Sequence, residues 1–376
     1  MTAPQNSASK KSAPKSARKS ANRKSARKRA QRRRRNGPPE TQAPPQGQAQ
    51  PGLKVRRPDD LLAIIPYMIG FHPSEDLVAV FIKSGRVWLT TRTDMPPESA
   101  GEELAEWLDA LADREEADAL ALVAYSAASL PAHRLLTRLM DRLAEHELAD
   151  VLYVGHGRWW SLTCGEECCP LSGTPYDLTS HPMTAAAVFA GLGVRANRRE
   201  LEASVSGPPE AEHPRLLELA EDLLAELEPF HNHVAAGGVL VSILDSVMAD
   251  PSALDERSCL LLSLLVNNIY VRDVAWARIS DSDADKHIQL WGSVVSRVPP
   301  ELSAAPLCLL GMAAWVAGHG GLVNCCSERV SQVDPHYSMG KLLGDIGERG
   351  IPPSLWQELK AEMQAELNAD LSPLAG

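Results

Sequence analysis

The chain has 376 residues, of which 44% are hydrophobic and 23% charged, enough for two domains with apolar cores. No apolar run reaches the roughly 18 residues of a membrane-spanning helix. The basic start is followed by no apolar segment of a secretory signal. The odd count of seven Cys, with adjacent pairs at Cys168-Cys169 and Cys325-Cys326, is unlike a secreted disulfide framework, so a cytoplasmic protein is expected.

The net charge of −10 conceals a split. Fourteen of the 38 Lys and Arg fall in residues 1–36, which hold no Asp or Glu; the remaining 24 face all 48 acidic residues. Residues 1–53 contain almost no large apolar side chain and turn to Pro, Gln and Gly after residue 36. They read as a disordered basic tail and linker. The densest charge lies at Arg27, Lys28, Arg29, Arg32, Arg33, Arg34 and Arg35. Such a polyelectrolyte suits the phosphates of nucleic acid, bound without sequence preference and with steep salt dependence. Three other readings compete: lying on its own acidic body, binding anionic lipid, or serving as an Arg- and Ser-rich transit peptide, the last weakened by the lack of an apolar face.

Residues 54–205 predict an α/β domain with a mixed sheet flanked by helices. Asp59 or Asp60 can cap a short helix through Leu61, Leu62, Ile64 and Ile65, which Pro66 is expected to stop or kink. Leu77 to Ile82 and Val87 to Thr93, joined at Ser84-Gly85, read as a β-hairpin. A helix from Glu98 to Arg114, a buried strand from Ala119, a helix around Leu135 to Leu143 and a strand over Asp150 to Val154 follow. Arg158 to Thr163 continues or pairs with that strand. Neither G-x-G-x-x-G nor G-x-x-x-x-G-K-[ST] occurs, and none of the common hydrolase or kinase motifs is present, so no catalytic residue is assigned and a binding role is favoured over an enzyme.

Residues 206–376 predict an all-helical domain. Leu216, Leu219, Leu223 and Leu227 make one stripe, and Val239 to Met248 and Cys259 to Ile269 read as central helices. Small residues around Gly311, Gly320 and Gly321 suit a close helical hairpin, similar in spacing to one tetratricopeptide unit. A protein partner would meet this domain. Cys259, Cys308, Cys325 and Cys326 lie on apolar stretches and are expected in the core.

Two stretches, RPDDLLAIIPYMIGFHPSEDLVAVF and GRWWSLTCGEECCPLSGTPYD, together resemble the bacterial family known as domain of unknown function 4192. The resemblance runs from about Arg57 to Trp356 and implies architecture without an activity.

Within these stretches, Phe71, His72, Glu75, Asp76, Trp159 and Trp160 are the candidate pocket residues. A His beside carboxylates can move protons, although PSED before an apolar run is also a plain turn. On a strand, Trp159 and Trp160 point to opposite faces, one into the core and one toward a cleft or partner. Cys164, Cys168 and Cys169 could give thiolates to zinc, with His156 or His181 as a fourth ligand. Adjacent cysteines serve one metal poorly, so packed thiols or a labile disulfide are the favoured account and no cofactor is expected.

Overall fold

The computed structural model describes residues 57–164, 169–189, 193–227, 232–250 and 254–371. The chain divides into two units, Met1–Gln46 and Gly47–Gly376, and every described residue belongs to the second. The basic tail and the residues Arg27 to Arg35 lie outside the described residues.

Helix α1 (Pro58–Ile69) begins on a one-sided cap: the Arg57 backbone N–H donates to the Asp60 carboxylate at 3.1 Å, and Pro58 takes the first turn. The expected stop at Pro66 does not occur. The helix runs on to Ile69 because Leu61, Leu62, Ile65 and Ile69 are all buried, and that apolar face outweighs one lost backbone bond. Gly70, at φ 87°, ends it in the left-handed conformation that glycine tolerates best.

Strands β1 (Asp76–Lys83) and β2 (Arg86–Asp94) form the expected hairpin. Ser84 and Gly85 both have positive φ, 54° and 71°, the two-residue turn that matches strand twist. Then come α2 (Gly101–Glu115), β3 (Ala119–Tyr125), α3 (Ser129–Arg142), β4 (Leu148–Gly155), β5 (Arg158–Ser161) and β6 (Thr174–Pro175). The sheet order is β2-β1-β3-β4-β5-β6; β3 and β4 are parallel and every other neighbouring pair is antiparallel. This is the mixed sheet with helices read from the pattern.

Both sheet faces are covered, which is why Leu77 to Ile82 of β1 and all of β3 are apolar without alternation. Leu77, Ala79, Phe81, Leu120, Leu122 and Tyr153 pack with α2 and α3 on one face. Val78, Val80, Ala121, Val123, Leu152 and Trp159 pack with α1 on the other. That second cluster continues across the boundary expected near residue 205 and ends at Trp356.

The remaining chain is helical: α4 (Pro182–Phe189), α5 (Arg198–Ala203), α6 (His213–Leu227), α7 (His233–Ala249), α8 (Glu256–Val266), α9 (Ile269–Arg278), α10 (Ala284–Val295), α11 (Ala304–Val316), α12 (Gly320–Val333), α13 (Ser338–Arg349) and α14 (Trp356–Leu371). Helix α11 is the centre, with Ala305 to Val316 buried throughout. Gly311 makes that packing close: a Cβ there would stand 2.4 Å from Leu343. Gly321 joins the helical part to the sheet part more tightly still, since a Cβ would stand 2.1 Å from the Ile69 carbonyl oxygen.

Candidate functional site

The carboxyl ends of β3 and β4 define one edge of the sheet, the place where open α/β sheets most often meet ligands. β1 starts there and β2 ends there, because both run antiparallel to their neighbours at this edge. Asp76 therefore stands opposite Tyr125 on one side and Asp94 on the other.

Asp76 is buried and holds Arg92, whose Nε donates to it at 2.5 Å. The Asp76 carboxylate also accepts the Ser74 backbone N–H at 2.8 Å. The guanidinium lies over the Phe71 ring at 5.5 Å and reaches Asp94 as well. Glu75 is exposed as a residue, yet its carboxylate accepts from Ser126 Oγ and from the Ala127 backbone N–H, each at 2.7 Å. Both carboxylates in the PSED turn thus hold loops and an arginine in place. His72 is exposed, and its backbone pairs with Arg195 through a bridge that ties the Phe71 segment to the stretch before α5.

Tyr125 lies beneath these groups. Its hydroxyl is buried without a hydrogen-bond partner of good geometry. Burial pushes its pKa far up, with Tyr176 and Asp76 adding to the rise. Burial also pushes Tyr176 up to about 12, so both rings keep their protons at neutral pH.

Trp159 and Trp160 do take opposite faces. Trp159 joins the apolar cluster beside Phe71, whereas Trp160 stacks on Tyr153 at 5.3 Å on the other face. Tyr153 in turn contacts the His133 ring at 4.6 Å. The backbone at Gly173 lies against the Trp160 indole, where a Cβ would stand 2.4 Å from the ring, and Trp160 Nε1 donates to the Leu171 carbonyl at 3.1 Å. The six residues read as one pocket are therefore divided by the sheet, with Phe71 and Trp159 on one side and Trp160 on the other.

Cys164 is disulfide-bonded, Cys169 is half-buried and Cys168 lies outside the described residues. A three-thiolate zinc site there requires the reduced form. His156 occupies the β4–β5 turn with positive φ, 53°, and His181 stands elsewhere, before α4. The other four cysteines are buried. Burial pushes the thiols of Cys259 and Cys325 up to about 11 and that of Cys308 up to about 12, which makes them poor nucleophiles.

One further cluster was not read as a unit in the sequence. His181 Nε2 stands 3.7 Å from both Asp59 and Asp60, and the three side chains could face one cation. Its hydrogen bonding argues otherwise. His181 Nδ1 accepts the Met183 backbone N–H at 3.2 Å and so carries no proton, whereas a metal on Nε2 needs the proton on Nδ1. The imidazole instead caps α4 and turns its Nε2–H toward the first turn of α1.

Among the described residues no single helix is long and apolar enough to cross a membrane. The described residues form a mixed sheet with helices packed on a helical C-terminal region, with a buried Asp–Arg pair at the carboxyl edge of the sheet. The chain belongs to the family described as domain of unknown function (DUF4192), whose model matches residues 58–354. No curated protein and no solved structure matches it.

Proposed function

We propose that this chain is a cytoplasmic binding or adaptor protein, tethered to nucleic acid by residues 1–36. One observation carries the reading: fourteen positive charges and no negative one in the first 36 residues, ahead of a strongly acidic body. Neutralising phosphates with such a segment releases condensed counterions, and the affinity is then set by salt rather than by base sequence. The test is retention of the full chain and of a chain lacking residues 1–36 on duplex DNA. The full chain should bind at about 50 mM salt and release by about 200 mM, while the shortened chain should not bind at either. Equal retention of the two chains refutes the tether.

A second reading is small-molecule binding at the sheet's carboxyl edge. It is favoured by the buried Tyr125 hydroxyl, which faces Tyr176 and Asp76 at that edge. A ligand acting there raises the melting temperature of the wild-type chain, and Tyr125→Phe removes the rise while leaving the fold.

A further inference from the structure

Helix α14 is held firmly at its start and loosely further on. Of its side chains through Leu367, only Trp356 is buried; Lys360, Met363 and Leu367 are half-buried and the rest face solvent. The Trp356 indole stacks on Trp276 at 5.2 Å, meets Trp315 edge-on at 6.2 Å and donates from Nε1 to the Ile279 carbonyl at 3.0 Å. Lys360 Nζ donates to the same carbonyl at 2.9 Å, and Gln364 Nε2 donates to the Ala277 carbonyl at 3.2 Å. Both acceptors sit at the C-terminal end of α9, where carbonyls have no partner within their own helix.

Toward the other end of α9 the two helices part. A cleft of about 390 Å³ opens between Ile269, Tyr270 and Asp273 of α9 and Met363, Glu366 and Leu367 of α14. That volume lies within the roughly 300–1,000 Å³ of small-molecule pockets. Ile269, Met363 and Leu367 make its walls aliphatic, and Ile269 is 63% exposed on them. Tyr270 adds an aromatic ring, backed by the His233 ring at 4.6 Å and by Gly237, where a Cβ would stand 3.6 Å from it. The other two lining groups are carboxylates, one from each helix. Arg272 already donates to Asp273 Oδ1 at 2.7 Å and turns its other end to the Tyr337 hydroxyl. Glu366 has no hydrogen bond or ion pair among the described residues. An uncompensated negative charge therefore stands at an aliphatic and aromatic cleft that no basic side chain lines.

We propose that this cleft binds a small apolar organic cation, an alkylammonium. Its chain lies along Ile269, Met363 and Leu367, and its charge is shared by Glu366, Asp273 and the Tyr270 ring. Aliphatic walls alone would take any apolar molecule, so the charge does the selecting. An ammonium gains from the negative face of an aromatic ring and from a carboxylate that has no other partner. A carboxylate of the same chain length meets repulsion there, and a neutral alcohol gains burial alone. The flexible thioether of Met363 lets the walls follow chains of different shape. The site is separate from the tether, since it uses none of residues 1–36. Met363, Glu366 and Leu367 also lie past residue 354, where the family match ends, so the matched residues do not form the cleft by themselves.

The test uses the full-length chain labelled with carbon-13 at its methionine methyl groups, and hexylammonium as the probe. Met363 is one of nine Met, and its resonance is the one lost in Met363→Leu. Hexylammonium should move that resonance saturably, with half-saturation at roughly a few millimolar, within reach of a ligand of about seven non-hydrogen atoms. Hexan-1-ol should bind at least about threefold more weakly, and hexanoate more weakly again. Glu366→Gln changes an exposed side chain and leaves the fold intact. It should weaken hexylammonium by about twofold to fivefold, the contribution of one exposed ion pair, and leave the alcohol unaffected. Tyr270→Leu keeps the wall apolar and should weaken the cation by a similar factor. Added salt should loosen the cation from the wild-type chain more than from Glu366→Gln. Equal binding of the three probes, or a Glu366→Gln chain that holds hexylammonium as tightly as the wild type, overturns the assignment to cations. A Met363 resonance unmoved at about 20 mM, or equal shifts at all the methionines, overturns the site.

Discussion

Two seams hold this body together, and they are built on opposite plans. Where α12 meets α1, backbone touches backbone: Gly321 leaves no room for even a methyl group beside the Ile69 carbonyl. Near it, Arg198 pairs with Glu328 through both carboxylate oxygens, at 2.6 and 2.8 Å, and Arg92 is pinned by Asp76. Where α14 meets α9, one tryptophan and a row of donors carry the contact, and a gap is left beyond them. The first seam spreads its stabilisation over many close contacts and has one arrangement. The second concentrates it in a few side chains, Trp356 above all.

The sharpest way to break that contrast is Gly321→Ala. The obstacle is a backbone carbonyl, so the substitution should cost about 3 kcal/mol, the upper part of the usual overpacking range, read in chemical denaturation. A neutral result would mean that the first seam yields as easily as the second. Asp76→Ala tests the same seam through charge. It leaves Arg92 largely buried with only the exposed Asp94 beside it, and a loss of about 3 kcal/mol is expected, with Asp76→Asn losing less.

The second seam is reached through pH. His287 is buried near Lys360 of α14, and burial lowers its pKa from 6.5 to about 4, opposed by Asp283 and assisted by Arg278 and Lys360. Between these values the unfolded chain binds the proton and the folded chain does not. Stability should therefore be full above pH 6.5 and fall as pH drops toward 4, by about 3 kcal/mol. His287→Gln should flatten that part of the pH profile, and an unchanged slope would assign it to other groups. The smallest effect is Gln364→Ala, which removes one partly exposed hydrogen bond and should cost about 0.5 kcal/mol. Hydrogen exchange should show faster exchange in α14 and none of the change at the Gly321 seam.

Much of this architecture is legible from local pattern. The Ser84-Gly85 turn, the all-apolar runs of β1 and β3 and the tryptophan pair on opposite faces follow from neighbour chemistry, and the structure has each of them. Of the two outcomes expected at Pro66, a stop or a kink, the stop is excluded because the buried stripe spans the whole helix. The polar edge was half legible. Asp76 stood out, but its partner Arg92 lies sixteen residues away in an alternating strand and reads there as one more solvent-facing charge. Only the hairpin register brings the two together, and register is a property of pairing. His181 and the two aspartates are likewise joined by helix packing alone. The anchoring role of Trp356 had one available signal, a lone indole three residues after Pro353 in an otherwise charged helix.

Helix α11 has no polar face at all, since Ala305 to Val316 are buried on every side. Its solubility is borrowed from the five or so neighbours that wrap it, and several of these are made after it as the chain is synthesised. Any partly folded chain in which α12 and α13 have not yet closed presents a bare apolar rod to its surroundings. Recovery from denaturant is therefore a race between intramolecular wrapping, which ignores dilution, and collision with other chains, which does not.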